Sequence, residues 1–210
     1  MRLLQALPLI ASLAAGSAMA STFTLDYISP FTSSSGLSAL SYQAGQVVTV
    51  PDGYLHLQSF SLIAFDGNGA DLKGEVQIWN GSDVGTTLYT SDPIGPSGSA
   101  SSGVGSYRIF TFTPDTPIAV TSDTQIYLSL IPATDSIPSG NVGYLGSQYS
   151  GGYVVFNVGS GLQTNFSPSD MAFAATFDNN PETPEPSTMA MFVGSGLLLF
   201  LAKRKFASQS

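Results

Sequence analysis

The chain has 210 residues, of which 43% are hydrophobic and only 10% are charged, and its formal net charge is −8. All 14 acidic residues lie between Asp26 and Glu185, a stretch in which Lys73 and Arg108 are the only basic residues. A phosphate backbone therefore finds no basic surface, and nucleic acid is not an expected partner. Cysteine is absent, which excludes disulfides, thiolate metal sites and cysteine nucleophiles.

The N-terminal end has the order of parts that is typical of a secretory signal peptide. A basic start is followed by a mostly apolar run over residues 3–15, and Ala18 and Ala20 then fit the small-residue pattern that signal peptidase recognises. The apolar run is shorter than the roughly 20 residues that span a bilayer. We therefore predict a signal peptide helix over residues 1–20, cleaved before Ser21.

The middle of the chain, residues 21–178, is rich in Gly, Ser, Thr and aromatic residues, a composition that favours strands joined by turns. Two runs alternate as half-buried strands do, with apolar side chains on one parity. These side chains are Ile126, Leu128 and Leu130 in one run and Met171, Phe173, Ala175 and Phe177 in the other. The pattern predicts an all-β domain, built as a two-sheet antiparallel sandwich.

About nine strands are expected in this domain. They cover residues 22–27, 47–50, 54–65, 75–79, 86–90, 107–113, 126–130, 153–158 and 171–177. The Gly-rich and Ser-rich spacer at residues 93–105 is interpreted as an exposed loop. Within the third of these strands the apolar parity changes, since Leu57 lies on one parity and Phe60 and Leu62 on the other, which predicts a bulge or a bend.

The domain has few residues that could act in catalysis. Its only histidine, His56, lies on the outward parity of a predicted strand, with no second His and no Cys to join it. No strand–turn–helix nucleophile motif accompanies it, and Glu75 is the only glutamate before the Pro-rich segment. We therefore expect a surface histidine and a domain that is not an enzyme, with a hydrolase built on Asp residues as the third alternative.

One segment has the side chains of a calcium site. Asp66, Asn68 and Asp71 are oxygen ligands of the kind that calcium takes, but the EF-hand pattern fails at Ala70 and at Gln77, where a bidentate Glu is needed. A hairpin turn is the favoured interpretation. No cofactor is expected, and calcium is the alternative.

Aromatic residues exposed on a β-sandwich can stack on sugar rings when carboxylates and amides lie nearby. Trp79, Tyr149 and Tyr153 are the candidates for such contacts. The competing interpretation is packing in the core or at a sheet edge. A saccharide-binding module, stabilised or not by calcium, is accordingly the alternative function from another class.

Beyond the domain, residues 179–187 form a Pro-rich acidic stretch that cannot continue a helix or a central strand, and we predict an extended linker. Residues 188–202 are apolar or small and predict a short transmembrane helix, with a basic cytoplasmic tail at residues 203–210. At ~1.5 Å per residue this helix covers about 22 Å of a ~30 Å hydrocarbon core, so the flanking basic side chains must snorkel. Those stop-transfer residues are Lys203, Arg204 and Lys205.

The motif Pro184-Glu185-Pro186-Ser187, followed by the apolar segment and the basic triplet, resembles the PEP-CTERM sorting signal in content, order and position. This resemblance implies that an exosortase, a membrane enzyme with a Cys nucleophile, recognises the motif. The chain would be anchored in the membrane before processing and then reach the cell surface or the extracellular polysaccharide matrix of a biofilm. The sequence departs from the usual pattern in residues 206–210, which extend the tail past the basic triplet.

The order of the predicted strands also resembles the jelly-roll-like choice-of-anchor exodomains. The strand that contains Trp79, the strand at residues 107–113 and the string at residues 149–157 carry this resemblance, which spans roughly residues 31–178. That group has no assigned activity, so the resemblance implies an architecture and not a function. The leading hypothesis is an exported surface or matrix protein without intrinsic catalysis.

Overall fold

The computed structural model describes residues 21–29, 37–38, 43–65, 71–102, 105–133, 141–142, 144–145, 148–157, 161–163 and 169–179. The predicted signal peptide, membrane helix and basic tail, with nearly all of the Pro-rich linker, lie outside these residues. The site residues that lie outside with them are Ala18, Ala20, Pro184, Glu185, Pro186, Ser187, Lys203, Arg204 and Lys205. Across the described ranges, no helix has the length and apolar character needed to cross a bilayer.

The described residues form sixteen strands. In chain order they are β1 (Thr22–Asp26), β2 (Leu37–Ser38), β3 (Gln43–Thr49), β4 (His56–Phe65), β5 (Leu72–Trp79), β6 (Val84–Thr90), β7 (Gly98–Ser102), β8 (Gly105–Phe112), β9 (Ile118–Ala119), β10 (Gln125–Pro132), β11 (Asn141–Val142), β12 (Tyr144–Leu145), β13 (Val154–Asn157), β14 (Leu162–Gln163), β15 (Asp170–Met171) and β16 (Phe173–Asp178).

The strands pair antiparallel in two large sheets and one small one. The eight-stranded sheet follows the order β1-β16-β4-β11-β2, with β8 and β9 on the opposite side of β4 and β7 beyond β8. The six-stranded sheet has the order β14-β13-β3-β10-β5-β6, and β12 pairs with β15 separately. The chain is thus an all-β, two-sheet antiparallel sandwich, as its alternating sequence predicts.

The main core lies between the two large sheets. On β10, Ile126, Leu128 and Leu130 point into it, and β16 contributes its apolar parity in the same way, so both alternating runs face the core as predicted. The other parity of β10 is also buried, because Tyr127 and Ser129 are covered on the outer face of the six-stranded sheet. β10 pairs with β3 on one side and β5 on the other, and Val47, Trp79 and Val155 of the neighbouring strands cluster with Tyr127 on the outer face, so β10 is buried on both faces.

The predicted irregularity in the third strand is a bulge in β4. Thr176 of β16 lies opposite Ser59, but the next residue, Phe177, lies opposite Leu57, which leaves Gln58 as the extra residue. The bulge reverses the parity of β4, so that Leu57 and Phe60 both reach the core. The parity change in the sequence is therefore confirmed by the register.

The interpretation of residues 93–105 as a loop is wrong in part. Within that segment, β7 pairs along its whole length with β8, from Gly98 opposite Ile109 to Ser102 opposite Gly105. Small Gly and Ser residues carry little strand propensity, but β8 supplies a complete row of backbone partners. The pairing is decided by the neighbouring strand and is not visible in the local composition.

Candidate functional site

The two ends of the described domain lie side by side. β1 pairs with β16 from Thr22 opposite Asp178 to Asp26 opposite Ala174. One residue further out, the Ser21 backbone nitrogen donates to Asn179 Oδ1 at 3.0 Å, and the Asn179 nitrogen donates to the Ser21 carbonyl at 3.3 Å. We call Ser21, Thr22, Asp178 and Asn179 the terminal clasp, because they hold the first and last described residues together.

The single histidine supports this clasp. His56 Nδ1 lies 3.2 Å from Asp178 Oδ1, and the Gln58 side-chain amide donates to the other carboxylate oxygen. The Leu55 backbone nitrogen also donates to the Asp178 carbonyl at 3.0 Å. His56 is therefore partly buried and paired with a carboxylate, so it helps to join β4 to the end of β16 rather than lying free on the surface as its parity suggests.

Two of the three residues expected to contact sugars are buried. Trp79 packs against Tyr127 and donates through Nε1 to the Tyr153 hydroxyl at 3.1 Å, and that hydroxyl donates to the Gly81 carbonyl at 3.2 Å. Tyr153 is only half-buried, but its hydroxyl is engaged in these bonds. The Trp79 ring therefore has no open face on which a sugar could stack.

Tyr149 also belongs to the packed interior. Its ring lies between those of Tyr27 and Phe173, with centroids 5.3 Å from each, and its hydroxyl accepts a hydrogen bond from the Thr49 backbone nitrogen at 3.0 Å. Burial raises the pKa of this hydroxyl above its ordinary value, outweighing the hydrogen bonds with Thr49. The expectation that Tyr149 contacts a saccharide is thus replaced by a packing role.

A buried carboxylate was missed by the sequence analysis. Asp170 is 1% exposed and accepts three hydrogen bonds, from Gln46 Nε2 at 3.1 Å and from the backbone nitrogens of Gln148 and Tyr149 at 2.8 Å each. Gln46 Oε1 in turn accepts from the Met171 nitrogen at 2.7 Å. We call this group the Asp170 anchor, since it holds the 148–152 loop against β3. Its one sequence signal is Gln46, a polar residue directly before the apolar pair Val47-Val48.

The proposed calcium ligands are only partly described. Asp71 lies exposed just before β5, whereas Asp66 and Asn68 lie outside the described residues. Within the described part of the chain, no three acidic or histidine side chains gather closely enough to hold a metal ion. The calcium site therefore stays a prediction.

A cavity of about 460 Å³ lies between β6, β8 and the segments that follow each of these strands. The Phe112 ring forms part of its wall and lies over Gly74, where a Cβ would come within 2.6 Å of that ring. The remaining lining is mostly hydroxyl and carboxylate. It consists of Tyr89, Thr90, Ser91, Asp92, Ile94, Thr111, Thr113 and Asp115.

The cavity is electronegative. Burial raises the pKa of the Tyr89 hydroxyl, and the carboxylates of Asp115 and Asp92 raise it further by disfavouring the phenolate. No Lys, Arg or His is among the described residues that line it. It presents an aromatic wall beside oxygen acceptors, an arrangement suited to hydroxyl groups or amines and unsuited to anions.

Comparison with known proteins gives only distant likenesses. The sequence matches no protein-family model and no curated protein. Among solved structures, it is similar to the cysteine protease and lectin-like domains of Cwp84, a surface-layer-associated protein of Clostridium difficile, at 12% identity and a TM-score of 0.44, over 66% of this chain and 32% of that one. A second Cwp84 structure, after propeptide cleavage, gives 13% identity and a TM-score of 0.49, over 76% of this chain and 40% of that one.

The third likeness is to the VP2 subviral particle of infectious bursal disease virus, at 14% identity and a TM-score of 0.24, over 96% of this chain and 54% of that one. This chain thus spans about a third of the first structure's length. At such identities and TM-scores, these likenesses carry no argument about what this protein does.

Proposed function

We propose that this chain is an exported bacterial surface protein without catalysis of its own, which is anchored by its C-terminal segment until an exosortase processes it at the PEP motif. The terminal clasp is the observation that carries this proposal. The first described strand, β1, begins at Thr22, just after the predicted signal-peptidase site, and the last, β16, ends at Asp178, just before the predicted linker. Because β1 and β16 pair, the two predicted junctions lie beside each other at one edge of the eight-stranded sheet.

The predicted cleavage site is compatible with the hydrogen bonds of the terminal clasp. Cleavage before Ser21 makes the Ser21 nitrogen a free amino group, and that nitrogen is the one that donates to Asn179 Oδ1. Cleavage farther along would remove residues of β1 that pair with β16. Removal of residues 1–20 therefore leaves the sandwich whole and attached to the membrane at one end only.

The exit of the chain also suits processing. β16 ends at Asp178, and the Pro-rich linker follows without any described strand in between. Pro184 and Pro186 hold the chain extended and keep Glu185 out of the helix expected after it, so a membrane enzyme can reach the peptide. The jelly-roll-like arrangement, the leader helix and the membrane helix at residues 188–202 belong to the same proposal, as does deposition among extracellular polysaccharides.

Intact mass spectrometry tests this proposal. The protein is isolated from its own cells and from a strain that lacks any exosortase-like enzyme. We expect the first form to begin at Ser21 and to end near residues 184–187, and the second to retain residues 203–210. A Glu185→Ala variant should accumulate the unprocessed form, whereas Glu182→Ala, outside the motif, should be processed normally. If both strains retain residues 203–210, the processing proposal is wrong and the C-terminal segment is an ordinary membrane anchor.

The cavity between β6 and β8 favours a second candidate function, saccharide binding. Its aromatic wall and its acceptors can hold a neutral or amine-bearing sugar, while Asp92 and Asp115 repel uronic acids. This site replaces the surface around Trp79, whose ring is buried. A binding role is compatible with the sorting proposal, because a surface protein in a polysaccharide matrix meets such ligands.

Calorimetry with neutral, amine-bearing and uronic oligosaccharides separates the two sites. We expect Tyr89→Ala to weaken binding at least about tenfold, because it removes both the ring and the hydroxyl. Tyr153→Phe is the matched control near Trp79 and should bind as the unaltered protein does. The opposite pattern would move the site to Trp79, and no binding by any sugar would remove this candidate function. Repeating the titration with a chelator tests the calcium alternative.

A further inference from the structure

The large apolar side chains that the described domain exposes lie toward one end of the sandwich. They are Leu55 at 47% exposure, Phe23 at 40% and Ile78 at 37%. The ring of Tyr54 lies 5.6 Å from that of Phe23, and Leu55 follows Tyr54 in the chain. We call Phe23, Tyr54 and Leu55 the apolar base.

The apolar base lies next to the terminal clasp. Phe23 lies opposite Phe177 in the β1–β16 pair, one residue from the terminal clasp. Leu55 binds the Asp178 carbonyl through its backbone nitrogen. Ile78 lies opposite Ile126 near the start of β10, so the six-stranded sheet also turns an exposed apolar side chain toward this end.

The number of residues between the domain and the predicted membrane helix limits how far the apolar base can lie from the bilayer. Residues 180–187 separate the clasp from the apolar segment at residues 188–202. A Pro-rich stretch of this length spans about 25 Å as a polyproline II helix, at ~3.1 Å per residue, and at most about 29 Å when fully extended, at ~3.6 Å per residue. The base can therefore stand no farther than that from the membrane surface, and any bend in the linker brings it closer.

The chemistry of the base fits the interfacial layer of a bilayer. Aromatic and aliphatic side chains partition there, and a tyrosine keeps its hydroxyl in the wet headgroup region. Two acidic residues, Asp52 and Asp123, lie exposed in the adjoining turns, which are joined by the hydrogen bond from the Gly53 nitrogen to the Ser122 hydroxyl. These carboxylates repel anionic lipid headgroups, so a zwitterionic surface is the better match.

We propose that the apolar base rests on a zwitterionic membrane surface while the chain is anchored, so that the domain stands on the bilayer beside its own linker. This inference rests on the proposed anchoring. Contact at the base keeps residues 180–187 close to the headgroups, where a membrane-embedded enzyme meets the PEP motif. The exposed apolar side chains of the base then contact the interfacial layer of the bilayer.

The absence of cysteine permits a direct test, because one introduced cysteine takes one dye. The full chain is expressed in a host without an exosortase-like enzyme and reconstituted in phosphatidylcholine vesicles whose acyl chains are brominated near the headgroup. A dye at Thr22→Cys reports on the base. A dye at Ser99→Cys, opposite Arg108 at the other end of the eight-stranded sheet, is the matched control.

We expect bromolipids to quench the dye at position 22 several-fold more than the dye at position 99. The double variant Phe23→Ser with Leu55→Ser should reduce quenching at position 22 to the control value, with the circular dichroism spectrum unchanged. Added phosphatidylglycerol should weaken the quenching, and salt should restore it. Vesicle flotation distinguishes the two proposals. A chain that floats without quenching at position 22 overturns the apolar base alone, whereas a chain that does not float overturns the anchoring as well.

Discussion

Two carboxylates, Asp170 and Asp178, each accept hydrogen bonds that hold separate segments of this sandwich together, but their donors differ. At the Asp170 anchor, the carboxylate is closed off from solvent and accepts hydrogen bonds from two backbone N–H groups and one side-chain amide. At the terminal clasp, Asp178 is also buried, but it bonds to two side chains, His56 and Gln58, that are themselves partly exposed. Buried backbone donors cannot find water when their acceptor is lost, whereas side chains near the surface can.

Removal of the Asp170 carboxylate should have the largest effect. Asp170→Ala leaves the Gln148 and Tyr149 nitrogens and the Gln46 amide without their acceptor, and we expect a loss of about 3–5 kcal/mol in the free energy of unfolding. Urea unfolding followed by circular dichroism measures it. Asp71→Ala, at an exposed carboxylate, is the control and should change stability by less than about 0.5 kcal/mol. Equal effects of the two variants would contradict the anchor.

The packing of the 148–152 loop against β3 can also be disrupted at Gly152. At Gly152, an added Cβ would lie 1.8 Å from the Val47 carbonyl oxygen, a backbone atom that cannot turn away. We expect Gly152→Ala to cost about 2–3 kcal/mol. At Gly95 the nearest atom to an added Cβ is Asp71 Oδ1 at 3.5 Å, so Gly95→Ala should be close to neutral. Similar melting temperatures for the two variants would contradict this close contact.

The terminal clasp should be weaker. Asp178→Ala removes the acceptor of His56 and Gln58, both of which can turn toward water, so a loss of about 1–2 kcal/mol is expected. Hydrogen exchange should show the loss concentrated in β1, which pairs with β16 alone among the described strands. Protection that falls equally in β1 and β10 would show that the clasp acts on the whole sandwich and not on its edge.

The smallest effect is expected at Asp26, the last residue of β1. Burial acts to raise the pKa of this carboxyl, but hydrogen bonds from the Ser29 hydroxyl and from the Ser29 and Ile28 backbone nitrogens outweigh it and lower the pKa. Because the folded pKa lies below the unfolded one, the stabilisation is present above about pH 3.8 and is lost as pH falls through the folded pKa.

Comparison of unfolding curves between pH 6 and pH 2 checks this expectation, with Asp26→Asn as the variant. The difference in stability between the variant and the unaltered protein should shrink as pH falls. A difference that stays constant over the whole range would show that the ionised carboxylate contributes nothing specific at this turn.

Local pattern was enough to predict much of the fold. The alternating runs in β10 and β16 have the period of a pleated strand, and the parity change in β4 requires an extra residue, which the structure has at Gln58. The same kind of pattern missed β7, because its Gly and Ser residues have low strand propensity and its pairing depends on β8. Propensity describes a segment alone, whereas strand pairing is a property of two segments.

The candidate sites were harder to predict, because each joins residues far apart in the chain. Trp79 and Tyr149 have the right chemistry for sugars, but burial depends on what covers a ring, and here other aromatic rings cover both. Gln46 and Asp170 are 124 positions apart, and neither stands out until the strands bring them together. The cavity likewise brings together residues of β6 and β8, which belong to different sheets and are separated in the chain by β7.

By itself, the sequence determined the all-β class, the strand faces and the expected positions of leader, linker and membrane segment, because these depend on short-range periodicity and on runs of like residues. Only the tertiary structure decided that Ser21 and Asn179 meet, that His56 pairs with Asp178 and that exposed apolar side chains gather where the chain leaves the domain. These are relations between distant segments, and they follow from sheet order and register, which local pattern does not encode.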